Sequence, residues 1–196
     1  MDEQKVSADN ELDEDDQRSY HVVLYSGQSN SSGRELDVPI CTLRFVEVVP
    51  SEADIEQYGK VSIPSGSMNP TLGPLSFISG AKPLPEPVHY PSEFWDGREP
   101  YIKIGRVATL KTFRKMGMAA KVLQWTFSWI LQNQHEFVPE GNTLVLVHAQ
   151  SNAQNLYAQQ GFVVDKTMGV WVEEGIDHVG MWKRLKLEES AFHKLT

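Results

Sequence analysis

Short apolar runs alternate with turn-forming segments along most of this chain, and two segments carry apolar residues at helical spacing. Runs rich in β-branched and aromatic residues predict strands, and they lie at 20–25, 38–49, 102–110, 143–148, 162–165 and 179–185. Apolar residues three and four positions apart predict helices at 117–134 and 152–160. This order of elements predicts an α/β (α+β) fold in which helices flank a mixed sheet.

The longer predicted helix should bury one side against the sheet. Its apolar positions at spacings of three and four are Met118, Ala119, Val122, Leu123, Phe127, Ile130 and Leu131, and the stripe is extended by Trp125 and Trp129. The first two strands are joined by a polar, glycine-rich segment at 27–37, which predicts an antiparallel hairpin.

The segment 50–100 differs from the rest because it holds nine of the eleven prolines. Proline disfavours helix interiors and central strands, so we interpret the segment as a long insertion, with a short helix near Ser92–Trp95. Its aromatic end, Tyr90, Phe94 and Trp95, either approaches the active site or pins the insertion to the core.

The length of 196 residues and the charge distribution indicate one domain with two tails. We assign residues 20–187 to the domain, 1–19 to an acidic, disordered tail and 188–196 to a C-terminal tail. Residues 1–20 carry eight acids and two bases, so they account for −6 of the net charge of −8. The nearly balanced remainder disfavours nucleic acid as a partner.

The single cysteine, Cys41, excludes an intramolecular disulfide and fits a reducing compartment. No apolar run reaches the roughly 18 residues of a membrane span, and no residue spacing suggests a metal site. The acidic N-terminus is neither a signal nor a transit peptide. We therefore expect no membrane or metal and a cytoplasmic location, with the nucleus not excluded.

A basic stretch contains the first candidate site. Between Tyr101 and His135 there is no acidic residue, whereas six basic residues occur, Lys103, Arg106, Lys111, Arg114, Lys115 and Lys121. The predicted strand ends there, and a helix follows whose free N–H groups could bind an anion. Gly117 would let a phosphate ligand approach the backbone closely. A solvated basic helix face is the alternative interpretation.

Arg114, Gly117 and Ala119 fit the pattern [RQ]-x-x-G-x-[GA]. The stretch thus resembles motif A of the GNAT superfamily of acyl-CoA-dependent N-acetyltransferases. The resemblance implies that the coenzyme A pyrophosphate binds the amides of Lys115, Met116, Gly117, Met118 and Ala119. It also implies that the pantetheine arm binds the strand edge at Val107, Ala108 and Thr109.

A second pattern follows after one helix and one strand. Ala153, Tyr157, Gly161 and Phe162 fit A-x-x-x-Y-x-x-x-G-F, which resembles GNAT motif B. The resemblance implies a mostly antiparallel sheet with a splayed central strand pair, where acetyl-CoA lies in the gap. A backbone N–H on the motif A strand would stabilise the oxyanion, and Tyr157 would protonate the leaving thiolate. Alternatively, Tyr157 is a core tyrosine.

Gln150 stands where this superfamily often has asparagine, and we include it among the cofactor-binding residues. With the segment Glu173–Met181 it resembles the ElaA-type branch of GNAT proteins. The likeness covers 20–185 apart from the proline-rich segment. The branch usually has a strand and two helices before the hairpin, so the chain looks short at its N-terminus, and an uncovered sheet edge would favour a homodimer.

Proton transfer from the attacking amine needs a base, and the sequence leaves three candidates open. His178 ranks first because the resemblance supports it, Glu174 second and His148 third, while Glu173 and Glu174 could also bind a cationic amine. Each histidine is alternatively a structural residue.

The resulting hypothesis is an acetyl-CoA-dependent N-acetyltransferase that acts on a primary amine of a small molecule or peptide. The alternative is a catalytically weakened acyl-CoA-binding or interaction protein without an acceptor wall. A nucleotide-binding protein of another fold is disfavoured, since neither G-x-x-x-x-G-K-[ST] nor G-x-G-x-x-G occurs.

Overall fold

The computed structural model describes residues 14–29, 35–50, 92–133, 143–173 and 175–186. Within these ranges lie seven strands, two α-helices and four short 3-10 helices. The strands are β1 (Tyr20–Ser29), β2 (Glu35–Val48), β3 (Tyr101–Thr109), β4 (Leu144–Gln150), β5 (Val163–Val164), β6 (Val170–Glu173) and β7 (Ile176–Arg184), and the helices are α1 (Met118–Gln132) and α2 (Gln154–Gln159).

The strands form one mixed sheet in the order β1-β2-β3-β4-β7-β5, with β6 also paired to β7. Every pairing is antiparallel except that of β3 with β4. The single parallel pair is connected through α1, as a crossover requires. The predicted mixed, mostly antiparallel sheet with flanking helices is therefore confirmed.

The predicted hairpin is confirmed, and its strands are longer than expected. β1 and β2 pair antiparallel from Tyr20–Phe45 to Ser29–Glu35. The polar residues 27–29 and 35–37, predicted as loop, thus belong to the ladder. Backbone pairing does not require apolar side chains, which explains why hydropathy predicts both strands too short at the hairpin.

One face of the sheet packs against both α-helices, and we call it the helix face. It buries Phe45, Ile104 and Val147 against Leu123 and Ile130 of α1. The predicted stripe of α1 is confirmed in its centre, since Val122, Phe127 and Leu131 are also buried. Trp129 packs on Tyr20 and Phe45, but the prediction for Trp125 is wrong because its side chain is 49% exposed.

The opposite face buries three tryptophans, and we call it the tryptophan face. Its core contains Trp95, Trp171 and Trp182 with the strand residues Val46, Val48, Tyr101, Leu144 and Leu146. Tyr101 packs edge-on against Trp95 and Trp182, with ring centroids 5.3 and 5.2 Å away. Strand alternation separates the two faces, so β4 gives Val145 and Val147 to one face and Leu144 and Leu146 to the other.

The segment 92–100 pins the end of the proline-rich stretch to this core. The short helix predicted at Ser92–Trp95 is absent, and a turn stands there in which Ser92 Oγ accepts hydrogen bonds from the amides of Phe94 and Trp95. Trp95 is 3% exposed and donates from Nε1 to the Glu99 carbonyl at 2.6 Å. The structural interpretation of this tryptophan is therefore correct, while Tyr90 and 51–91 lie outside the described residues.

A buried carboxylate connects this segment to the far end of the sheet. Asp165 is fully buried and accepts hydrogen bonds from Ser92 Oγ, Thr167 N, Thr167 Oγ1 and Trp182 Nε1. Arg184 adds a bidentate contact to Glu99. Three stretches that are distant in sequence thus meet around one group.

Two further predictions need correction. Strand β6 is absent from the prediction, which has only a connection between strands at 166–177. The acidic tail predicted at 1–19 extends too far, since Glu14–Arg18 form a 3-10 helix in which Asp15 is buried and paired with Arg18. Residues 1–13 and 187–196 lie outside the described part of the chain.

Among the described residues, no helix combines the length and the apolar character needed to cross a membrane.

Replacing Asp165 with alanine should lower the free energy of unfolding by about 1 to 3 kcal/mol, because the buried indole N–H of Trp182 and two hydroxyls lose their acceptor. Chemical denaturation followed by circular dichroism measures this loss. The control is Asp177→Ala on the exposed side of β7, which should change stability by less than about 0.5 kcal/mol. A loss below about 1 kcal/mol in Asp165→Ala would show that the described contacts do not anchor the segment.

Candidate active site

The parallel strands β3 and β4 run side by side over only four residue pairs. The last pair joins Ile104 to Val147. Beyond it, β3 continues to Thr109 and β4 to Gln150 without pairing to each other. A gap therefore opens between the carboxyl ends of the two strands, as the resemblance implied.

A bulge in β3 accompanies this divergence. Thr42 of β2 pairs with Ala108, whereas Arg44 pairs with Gly105, so β3 carries one extra residue over this interval. Arg106 lies within it and has a positive φ of 53°. Bulges bend a strand and increase its twist, which turns the end of β3 away from β4.

A turn with two left-handed residues connects β3 to α1. Lys115 has φ 61°, and Gly117, the N-cap of α1, has φ 78°. The first hydrogen bond of the helix runs from Lys121 N to Gly117 O at 3.0 Å. The N–H groups just before Lys121 therefore have no acceptor within the helix, and groups of this kind can bind an anion.

The surroundings of this turn are positively charged and sterically open. Lys111, Arg114, Lys115 and Lys121 are exposed. A Cβ atom placed on Gly117 would meet no atom within 4 Å. The residues predicted to hold a pyrophosphate thus lie together on one open, positively charged turn, which we call the cradle.

The end of β3 presents backbone groups to the gap. Leu110 N donates to Ile40 O of β2 at 2.9 Å, and the backbone groups of successive strand residues point to opposite sides. Ala108 therefore directs its amide and carbonyl toward β2, whereas Val107 and Thr109 direct theirs toward the gap. The Thr109 carbonyl accepts from Arg114 Nε at 3.1 Å, which couples the strand end to the cradle.

Tyr157 lies on the helix face. Its ring is 7% exposed and packs edge-on against Phe162, with centroids 5.7 Å apart. Burial raises the pKa of the Tyr157 phenol to about 12. The phenol therefore keeps its proton at neutral pH, where it can donate a hydrogen bond or a proton but cannot serve as a general base.

His178 lies on the other side of the sheet. It belongs to β7, pairs in register with Gln150 of β4 and with Trp171 of β6, and is 8% exposed. Its Nδ1 lies 2.8 Å from the Ile176 carbonyl oxygen. A carbonyl only accepts hydrogen bonds, so Nδ1 carries the proton and Nε2 of the neutral ring holds a lone pair.

The other predicted site residues divide between these places. Gln150 ends β4 and by strand alternation shares the tryptophan face with His148. Met118 and Ala119 begin α1 half-buried, and Met116 is 58% exposed, so their amides rather than their side chains belong to the cradle. Glu174 lies outside the described residues.

The structure also reveals a cluster that the sequence did not predict. His148, the first residue of β4 beyond the pairing with β3, has its Nδ1 3.0 Å from Glu173 Oε1. The same oxygen accepts from Trp171 Nε1 at 2.7 Å. The Trp171 ring packs edge-on against His148 and stacks on His178, at centroid distances of 4.9 and 6.5 Å.

Burial and neighbouring charges set the ionisation of this cluster. Burial and the Lys103 ammonium lower the pKa of His148 to about 4, against the opposing effect of Glu173. Burial alone would raise the pKa of Glu173, but the bonds from His148 and Trp171, together with Lys103, hold it well below its ordinary value. At neutral pH the pair is therefore a neutral imidazole beside an ionised carboxylate.

The sequence presents His148 and Glu173 as separate candidates and does not pair them. The missing signal is β6, since only its register with β7 brings Glu173 back over β4. The alternation of Trp171 and Glu173 around an exposed Val172 would have indicated this strand.

In the described part of the chain, no group of three or more histidine, cysteine or acidic residues is placed to hold a metal ion.

Comparison with protein families places this site in a known context. Residues 96–185 match the profile of a family described as "Acetyltransferase (GNAT) domain". The matched range contains the gap, the cradle, Tyr157 and the histidine cluster. No curated protein matches the chain.

The chain is also similar to several solved structures. A proposed N-acetyltransferase from Lactobacillus plantarum has 23% identity and a TM-score of 0.50, with 94% of this chain and 82% of that chain covered. Escherichia coli ElaA has 17% identity and a TM-score of 0.43, covering 93% and 77%. Arabidopsis thaliana NAA60, solved in complex with acetyl-CoA, has 14% identity and a TM-score of 0.42, covering 81% and 70%.

The similarity to the Lactobacillus plantarum structure supports the fold alone. The match to the family profile lies on the segment that contains the gap and the cradle. Residues 96–185 are thus similar in sequence to a GNAT acetyltransferase domain, and the fold of the chain agrees with that similarity.

Proposed function

We propose that this protein is an acetyl-CoA-dependent N-acetyltransferase that transfers an acetyl group to a primary amine of a small molecule or peptide. One observation carries the proposal: the positively charged, left-handed turn at the start of α1 opens directly beside the gap between β3 and β4. A cradle for phosphate and a slot for an extended thiol arm are thereby adjacent.

The cradle suits the pyrophosphate of coenzyme A. The amides of Lys115, Met116, Gly117, Met118 and Ala119 supply donors, and the exposed Arg114 and Lys115 supply charge. A helix N-terminus and a cationic side chain both favour a bound anion. The pantetheine arm would then follow the edge of β3, where Val107 and Thr109 face the gap.

The same edge of β3 would stabilise the transition state of acetyl transfer. An N–H group of β3 that faces the gap can donate to the thioester oxygen as it acquires negative charge. A donor of this kind typically contributes about 10²- to 10³-fold in rate. The interaction uses the backbone, which explains why no particular side chain is needed at this position.

Tyr157 is our proposed general acid. It lies on the helix face, the side from which α1 would hold the cofactor, and its raised pKa keeps the phenol protonated. Donation to the departing sulfur would help the thiolate leave.

The acceptor would approach from the tryptophan face. His178 lies there beside Trp171, and Glu174 is adjacent in sequence to Glu173, so both remain candidates for binding the amine or its proton. The buried Cys41, whose burial raises its pKa, is consistent with the reducing cytoplasm that we propose as the location.

The proposal is tested by incubating the purified chain with acetyl-CoA and a panel of primary amines and peptides, while free thiol is measured. Amine-dependent thiol release, with a product heavier by one acetyl group, is the expected result. Binding of acetyl-CoA without transfer to any amine would favour the alternative, a catalytically weakened acyl-CoA-binding or interaction protein.

Gly117→Glu should abolish acetyl-CoA binding, because it places bulk and negative charge in the cradle and strains a left-handed position. Calorimetric titration measures the affinity. The matched control is Gly175→Glu, since Gly175 also has a left-handed φ of 76° and open space where a Cβ would lie but is located at the β6–β7 turn. Unchanged affinity in Gly117→Glu would refute the assignment of the cradle.

Tyr157→Phe should lower kcat by about 10²-fold, the lower end of what proton transfer contributes, and leave acetyl-CoA affinity within about twofold. Steady-state kinetics and calorimetry separate the two effects. Tyr25→Phe is the control, because Tyr25 is 51% exposed on β1. If Tyr157→Phe retains full turnover, the hydroxyl has no part in the reaction.

A further inference from the structure

A buried nitrogen of His148 lacks a hydrogen-bond partner. The His148 side chain is 7% exposed, and its Nε2 is one of the buried polar atoms for which the described residues provide no partner. An unpaired buried polar group destabilises the folded state. A group that a fold retains at such a cost is a candidate for binding or catalysis.

The neighbouring groups determine what this nitrogen can do. The Glu173 carboxylate only accepts hydrogen bonds and lies 3.0 Å from Nδ1, so the Nδ1 proton is donated to it. In the neutral ring, Nε2 then holds a lone pair. Trp171 Nε1 donates to the same carboxylate oxygen and fixes its position.

We propose that His148 Nε2 accepts the proton of the acceptor amine, and that Glu173, held by Trp171, is the positioning residue that orients the ring and stabilises the imidazolium. This inference rests on the proposed acetyl transfer and names its base. It ranks His148 above His178, which the sequence placed first.

The position of His148 on the strand supports this role. It is the first residue of β4 that β3 no longer pairs, so it stands where the gap begins. Strand alternation directs its side chain to the tryptophan face, whereas Tyr157 lies on the helix face. The proton acceptor and the proton donor thus stand on opposite sides of the gap.

The step balances without any further reactant. The neutral amine forms the N–C bond to the thioester carbonyl carbon, and its nitrogen becomes cationic and strongly acidic. His148 Nε2 takes one proton from that nitrogen. The C–S bond then breaks, Tyr157 protonates the sulfur and is reprotonated from solvent, and the imidazolium releases its proton to solvent.

Three charged or titratable groups surround His148, namely Lys103 on β3, Glu173 on β6 and His178 on β7. Glu173 favours the protonated ring, while Lys103 and His178 disfavour it. His178 has the weaker claim as base, since its Nδ1 is bound to the Ile176 carbonyl and no carboxylate among the described residues balances a charge there.

The experiment uses chemical rescue of the full chain. His148→Ala should reduce kcat by about 10²- to 10⁴-fold while acetyl-CoA affinity stays within twofold. Added imidazole should raise the kcat of His148→Ala at least tenfold over its value without imidazole. The rescued rate should rise with pH, because more of the imidazole becomes neutral. A purely structural histidine would not produce this pH profile.

Three variants provide the controls. His148→Gln fills the space and should lose activity without rescue, and His21→Ala, on the exposed side of β1, should retain full activity. His178→Ala is the competing assignment. Rescue of His178→Ala but not of His148→Ala, or full activity of His148→Ala, would overturn the proposal.

Nitrogen-15 NMR of the histidine rings separates failure of this inference from failure of the proposed function. We expect His148 at neutral pH as the Nδ1–H form with an unprotonated Nε2, and a titration well below pH 6. This result supports the proposal even when no tested amine is acetylated, in which case the proposed function is what fails. Protonated Nε2 at neutral pH would overturn the inference whatever the enzyme activity.

Discussion

The site depends on one geometric constraint, the divergence of two parallel strands after four residue pairs. β3 and β4 are the only parallel neighbours among the described strands, and a bulge at Arg106 turns β3 away just as the pairing ends. Beyond that point the facing backbone groups of β3 and β4 do not pair with each other. In a closed sheet those groups would bind each other, and neither an extended ligand nor an oxyanion could use them.

Strand alternation then decides on which face of the sheet each side chain of β4 lies. Because neighbouring residues of β4 face opposite sides, Val147 and Ala149 complete the core under α1, and His148 between them joins the tryptophan face. In the mechanism that we propose, the proton donor and the proton acceptor can consequently act on one reacting centre without contacting each other. This arrangement buries the His148 ring, which is energetically unfavourable. The hydrogen bond to Glu173, which Trp171 holds in place, offsets part of that unfavourable energy.

Local patterns predicted the parts of the fold that local physics controls. The spacing of apolar residues placed α1 and its buried centre, and the combination of Arg114, Gly117 and Ala119 placed the turn before it. Failures occurred where distant contacts decide the structure. Ser92 forms a turn rather than a helix because its hydroxyl binds Asp165, 73 residues away, and Trp125 is exposed although its spacing suits the core.

The pairing of His148 with Glu173 shows the same limit, since 25 residues separate them and only the register of β6 and β7 brings them together. The run Val170–Val172 is β-branched and aromatic and would have indicated β6, but our interpretation of 166–177 as a connection overlooked it.

The anchor at Asp165 has a consequence for how this chain can vary. The proline-rich stretch leaves the sheet after Val48 and returns at Ser92, and both ends are fixed, the first by pairing with Tyr101 and the second by Asp165. The entropy of closing a loop rises only slowly with its length. Closure entropy alone therefore places little constraint on the number of residues between these two points, and the strand pairing and the Asp165 anchor can stay constant when that number changes.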